Sequence, residues 1–472
     1  MAGMTEPLII GAMVRTLGAY PSGWRHPGAH RDPAGDAAVL RRIAELGEEA
    51  GLDYLFFGDW LATGPDLEFR DPYLLARIDP LSAVLFLAGV TSWIGLIATV
   101  NTTYADPYAT ARALASLDVL TGGRAGVNLV TGVEPRAAGN HGRDAHADNE
   151  NRYDRAEEFV TALDRLWDSW SADAWIADAD RGVLIDPDGL REAGVEGAHV
   201  RVTGPLNVAR PPQGRLPIVH AGTSPRSRAL AATEADLALI AAPSLADAVA
   251  TRTGLRLLAA EAGRSPEAVR VIAPVLPVVG ETDAEAQAIV VRLLSLVPLA
   301  EEHQRSRPAF PVNRSVTALA DALGVAADDP LRSAAFDAPV TAAEAERLGE
   351  EGAVLIERLA RIAGLEISGS ARGTSLTWRH LVAAHAVPGA FVVGSAASVA
   401  DHFETWRDAG AADGFNVLSA FQPAQFEAFT RLAAPELRRR GLLGREGSTL
   451  RERLSVTPRV GSSRLVSSGV DA

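Results

Sequence analysis

The chain has 472 residues, of which 59 are acidic and 45 basic, and a net charge of −14, the wrong sign for a protein that must neutralise a phosphate backbone; nucleic acid is excluded as a partner. Every basic residue is Arg and there is neither Lys nor Cys, which removes Schiff-base and PLP chemistry, a phosphate-loop lysine, disulfides, thiolate nucleophiles and cysteine-held metal centres. Hydrophobic residues at 47% against 22% charged leave ample material for a large core.

In chain order, the opening MAGMTEPLIIGAMVRTLG has no basic stretch ahead of its apolar run, so no secretory leader is expected and the cytoplasm is the expected location. Apolar runs at 8–14 (LIIGAMV), 53–58 (DYLFFG), 94–100 (IGLIATV), 124–130 (RAGVNLV), 216–221 (LPIVHA), 236–241 (DLALIA), 269–279 (VRVIAPVLPVV) and 414–420 (GFNVLSA) read as strands. Their near-continuous hydrophobicity suits a parallel sheet covered on both faces. Amphipathic segments at 36–50, 80–90, 107–120, 151–170 and 225–235 predict helices between them. The apolar stretch Val84–Val100 is broken by Thr91, Ser92 and Gly95, which predicts a helix running into a strand rather than a membrane span.

Eight strand–helix units predict an α/β fold, a closed (β/α)₈ TIM barrel with helical insertions. A single barrel domain over 1–457 is expected, its excess length lying in insertions at about 171–215, polar with Gly and Pro, and 300–390, Ala- and Arg-rich with a helical pattern. The stretch 458–472 is Ser- and Gly-rich and predicts a flexible tail.

In such a barrel the chemistry sits where strands end. Asp59, Asn101 and Asn128 lie at or near strand ends, and His220-Ala221-Gly222-Thr223-Ser224-Pro225 closes another. These are small hydrogen-bonding groups without an acid–base pair, a pattern that suits holding a cofactor. Gly222 after a strand, Ser224 as helix cap and Pro225 at the first helical position make either a plain cap or an anion site fit for a phosphate. Arg226 and Pro225 rule out a hydrolase nucleophile elbow at this turn. Asn149 and Tyr153, four apart at a helix start, share a face. Trp24, His26, Trp60 and Tyr104 lie near strand ends and fit either a substrate pocket or core packing. His141, Asp144, His146 and Asp148 match no metal-site spacing and read as a solvated loop. No G-x-G-x-x-G follows a strand, so no nicotinamide site is expected.

The run ATVNTTYADPYATARALASLDVLTGGRAGVNLVTG, with DYLFFGDW, NENRYDRAEEF, PIVHAGTSPRSRALAA, VVGSAASVADHFETWRDAGAADGFNVLSA, PELRRRGL and TLRERL in order, resembles the nitrilotriacetate monooxygenase component A group of the bacterial luciferase-like superfamily. That group includes dibenzothiophene-sulfone, EDTA and long-chain alkane monooxygenases. The resemblance implies a two-component enzyme that receives FMN as FMNH₂ from a separate NAD(P)H:flavin reductase and uses O₂ to put one oxygen atom into a small organic molecule, with sulfur or nitrogen compounds and xenobiotics as the expected class. By the same resemblance Asp59 and Asn101 border the isoalloxazine, Asn149 and Tyr153 hold ring and ribityl chain, Ser224 binds the phosphate, and the flavin rather than a side chain does the chemistry. It implies a dimer or tetramer, and a lid drawn from 300–390. Three positions depart from the family pattern: Val127 stands where a Trp is usual and is expected to enlarge the substrate pocket, Asn149 where a His is common, and His220 where a Gln is common. A deazaflavin-dependent oxidoreductase on the same barrel, or a non-catalytic flavin-binding protein, are the alternatives.

Overall fold

The computed structural model describes residues 6–20, 22–63, 77–242, 244–296, 319–325, 337–363, 365, 367, 375–385 and 390–457. Eight parallel strands close on themselves: β1 (Ile9–Met13), β2 (Tyr54–Phe57), β3 (Gly95–Asn101), β4 (Ala125–Val130), β5 (Ile218–Ala221), β6 (Leu237–Leu239) and β7 (Arg270–Val279), with the eighth barrel strand, β9 (Gly414–Val417), between β7 and β1. The eight predicted runs are these eight strands. One strand of this sheet was not foreseen: β8 (Ala390–Gly394) pairs with the far half of β7, Val275–Val279, outside the ring. The ten-residue β7 can serve both partners because its first half already pairs with β6 and β9.

The period-two alternation of a strand sorts the side chains. Ile9, Tyr54, Phe56, Ile97, Val219, Leu237 and Ile272 fill the barrel interior. Ile10, Leu55, Leu96, Ala98, Val127 and Leu129 face the helix layer. That layer comprises α1 (Asp36–Glu49), α2 (Pro80–Ala88), α3 (Pro107–Thr121), α4 (Asn149–Trp167), α5 (Pro225–Glu234), α6 (Leu245–Glu261) and α7 (Asp283–Ser295) among others. Their starts are written in the sequence. Asp79, Asp106, Asp148 and Ser224 each accept a backbone N–H of the first turn, with Pro at the first position of α2, α3 and α5, so the capped helix ends stand beside the C-terminal ends of the strands.

The opposite end of the barrel is closed by a segment near the C-terminus. Leu450, Leu454 and Val456 enter the interior core, and Leu450 lies over Gly95 and Gly126, whose missing side chains leave it room. Arg453 stacks on Trp93 at 4.3 Å, and Arg451 bonds to the Arg215 carbonyl at 2.8 Å. At the same end three carboxylates stitch neighbouring strands: Asp53, Asp236 and Asp413 accept the backbone N–H of Ile10, Ile218 and Val271 at 2.7, 2.8 and 2.8 Å.

Residues 171–215 carry two short antiparallel hairpins, Trp175–Asp178 with Val183–Ile185 and Val195–Glu196 with Arg201–Val202. The described part of 319–385 builds a small apolar core around Leu319, Ile356, Leu359, Trp378 and Leu381. Ala383 joins it to Leu276 and Val278, on the C-terminal half of β7. The tail 458–472 lies outside the described residues. Among the described residues no helix is long and apolar enough to cross a membrane.

Candidate active site

At the C-terminal ends of β2, β3, β4 and β5 a cavity of about 340 Å³ opens, within the range of small-molecule and cofactor sites. Asp59, Trp60 and Leu61 come from beyond β2, Asn101 from β3, Val130 to Glu134 from the end of β4 and the loop after it, Ala221 to Ser224 from β5 and its turn, and Asn149 and Tyr153 from the first turns of α4. Six of the seven expected cofactor contacts are thus brought together: Asp59, Asn101, Asn149, Tyr153, Gly222 and Ser224. Asn128 is not among the lining residues. It is 3% exposed and lies two residues before Val130 on the same face of β4, its amide donating to Thr99 Oγ1 at 2.9 Å.

Of the expected substrate-pocket residues only Trp60 lines this cavity. Val127 is fully buried in the layer between barrel and helices, because a residue next to an inward-facing asparagine must point the other way; its small size does not widen the cavity. Tyr104 sits outside, stacked on His141 at 4.4 Å, with its hydroxyl 2.7 Å from His146 Nδ1. Trp24 is 36% exposed, and His26 stacks on Phe421 at 4.1 Å. Sequence reasoning missed Leu61, Val130, Thr131, Gly132, Val133, Glu134 and Ala137; the Thr-Gly pair directly after β4 was the available signal.

Four polar groups on the wall are oriented by hydrogen bonds or ion pairs. The Asp59 Oδ1 accepts the Trp60 N–H at 2.7 Å; burial holds its carboxyl above the usual range, opposed by that N–H and by Arg77. Asn101 Oδ1 accepts the Thr103 N–H at 3.1 Å, and its amide lies against Gly132, whose φ of +68° and lack of a side chain permit the approach. Asn149 Oδ1 accepts from Arg152 at 3.2 Å, which leaves its NH₂ as the group on offer. Glu134 is tied to Arg136 at 2.6 Å and held below the usual carboxylate range by that bond.

The β5–α5 turn is built as a cradle. Ser224 caps α5 by accepting the Ser227 N–H at 3.1 Å, and a Cβ on Gly222 would overlap the Ser227 hydroxyl. The turn therefore presents bare backbone at a helix N-terminus, where an anion is stabilised. The adjacent Arg226 does not compete for it, being engaged by Asp154, Glu150 and Glu157 at 2.5, 3.3 and 3.4 Å.

Anion cradle, apolar wall and oriented donors on a (β/α)₈ barrel define a cofactor-dependent enzyme rather than one that works by its own acid–base pair. Residues 19–413 match the sequence profile of the luciferase-like monooxygenases, and the chain belongs to that family. It is 34% identical to nitrilotriacetate monooxygenase component A of Aminobacter aminovorans over 469 residues, covering 96% of this chain and 97% of the relative. It is 32% identical to N-acetyl-S-(2-succino)cysteine monooxygenase of Bacillus subtilis (strain 168), with 96% and 97% covered. Among solved structures, riboflavin lyase, crystallised with a modified FMN and riboflavin, superposes with a TM-score of 0.74 at 27% identity over 96% of each chain.

Proposed function

We propose that this protein is an FMNH₂-dependent monooxygenase that receives reduced flavin from a separate reductase and places one atom of O₂ into a small organic substrate containing sulfur or nitrogen. The observation that carries the reading is that the Gly222–Ser224 cradle, Asn149, Tyr153, Asp59 and Asn101 line one cavity, with the Tyr153 hydroxyl 3.7 Å from where a Gly222 Cβ would stand. The residues present fit FMN: Ser224 and the turn backbone take the phosphate, Tyr153 and the Asn149 NH₂ the ribityl chain and ring, and Asp59 and Asn101 border the isoalloxazine. Bound FMNH₂ would supply the activation of O₂; the chain binds and orients it, and Leu61, Val130 and Ala137 give its surroundings an apolar lining. Both relatives named above are monooxygenases, which favours oxygenation over hydride transfer from a deazaflavin or mere flavin storage. A dimer or tetramer is the assembly that the family resemblance leads us to expect.

Anaerobic titration with FMNH₂, followed by mixing with ¹⁸O₂ buffer across a panel of organic sulfides, sulfones and amines, tests the reading. We expect saturable binding and one labelled oxygen in a product. Absence of FMNH₂ binding overturns the cofactor assignment, and binding without labelled product from any panel member overturns the substrate class.

A further inference from the structure

His220 is 3% exposed, lies outside the cavity lining and has no part in the proposed flavin contacts, yet it sits at the centre of a chain of hydrogen bonds. It occupies β5 beside Val219, and because Val219 fills the barrel interior the imidazole points outward, behind the cradle. Its Nδ1 lies 2.7 Å from the Leu129 carbonyl oxygen on β4. A carbonyl only accepts, so Nδ1 carries the proton and Nε2 is bare. Nε2 then accepts from the Ser227 hydroxyl at 2.9 Å. Ser227 in turn donates its backbone N–H to Ser224, and its hydroxyl fills the space a Gly222 side chain would occupy. Tyr153, packed beside the cradle against Leu230 of α5, meets the imidazole edge-on at 6.3 Å between ring centres.

Resting on the flavin reading, we infer that His220 is the positioning residue of the anion cradle: through Ser227 it locks the Gly222–Ser224 turn to strand β4 in the form that receives the FMN phosphate. The lock as built uses a neutral ring: protonation of Nε2 would reverse the bond, the Ser227 oxygen becoming the acceptor and its hydrogen losing the nitrogen it points at, and would bury a charge behind the turn in the space that Arg228 also lines, which loosens it. Burial pushes the imidazole below the ordinary histidine range, which keeps it neutral near pH 7. The titratable and charged groups around it are Tyr153 on α4, with Arg226 of α5 over its ring at 5.9 Å, and Arg228 of α5, which lines the small space behind the cradle with Thr223, Leu239, Thr251 and Leu255. Glutamine in place of His220 keeps both bonds, an amide N–H for Leu129 and an amide oxygen for Ser227; leucine keeps neither.

The test uses the full chain as wild type, H220Q and H220L. Reduced FMN and reduced riboflavin are titrated anaerobically, and amide hydrogen exchange over 222–228 is read without flavin at pH 7 and pH 4.5. We expect H220L to lose about tenfold or more in FMNH₂ affinity while reduced riboflavin stays within about threefold, and its 222–228 amides to exchange faster. H220Q should match wild type at pH 7; on acidification the wild-type turn should loosen beyond the intrinsic change and the H220Q turn should not. Equal exchange in all three proteins overturns the positioning role whether or not FMNH₂ binds. Wild type that binds no FMNH₂ while the acid loosening still separates it from H220Q overturns the flavin reading and leaves the lock standing. If H220L does not fold, the pH contrast between wild type and H220Q decides.

Discussion

Ser224→Asp separates the two tasks of Ser224. As a helix cap Asp equals Ser to within a few tenths of a kcal/mol, and its charge at a helix N-terminus adds a further ~0.3–1 kcal/mol in favour of the fold. Towards a phosphate the same charge is repulsive. At ~4 Å and an effective dielectric near 20, one pair of unit charges costs about 4 kcal/mol, roughly a thousandfold in affinity. Arg226 does not relieve it, since Glu150, Asp154 and Glu157 already hold that guanidinium. S224D should therefore unfold no earlier than wild type in urea, bind reduced riboflavin within about threefold of wild type, and lose about a thousandfold for FMNH₂ in anaerobic titration. FMNH₂ affinity within about tenfold of wild type, or an equal loss for riboflavin, would refute the assignment of the cradle.

At the other end of the barrel, L450A should cost about 3–5 kcal/mol in urea unfolding, because the rigid barrel cannot collapse onto the space. G126A places a Cβ 3.2 Å from Leu450 Cδ2 and 3.0 Å from Ile97 Cγ1 and should cost about 1–2 kcal/mol alone but less in the L450A background, a coupling of about 1 kcal/mol by double-mutant cycle; strict additivity would show that the two do not share that space. Burial pushes the Asp53 carboxyl up to about 7, against the Ile10 N–H and the charges of Arg445 and Arg453. Its folded value then exceeds its unfolded one, so the protonated form's contribution is present below about pH 4 and is lost as pH rises through about 7. Relative to wild type, D53N should gain in melting temperature from pH 4 to pH 8, and a constant difference would contradict this.

The barrel was legible because its strands are buried on both sides and stand out as unbroken apolar runs, and because Asp or Ser caps followed by Pro mark where helices begin. Strand β8 was not, since its pairing depends on the length of β7, far away in sequence, and the hairpins at 175–202 are too short and exposed to leave a pattern. The polar half of the site was readable from strand ends. The substrate residues were not: Val127 was placed by the family resemblance, as standing where a Trp is usual, although alternation along β4 sends it to the face opposite Asn128, and Trp24, His26 and Tyr104 were placed by nearness to a strand end, although loops carry them away from this cavity to where His26 stacks on Phe421 and Tyr104 on His141.

The segment bearing Leu450, Leu454 and Val456 also bears on how the protein is made. During synthesis the N-terminal part of a chain emerges first and begins to organise, yet here the floor of the barrel is laid by residues that follow all eight barrel strands in the chain. A barrel that lacked this segment would have an apolar hole beneath Gly95 and Gly126, so its floor can be laid only after the last strand, β9, has been made.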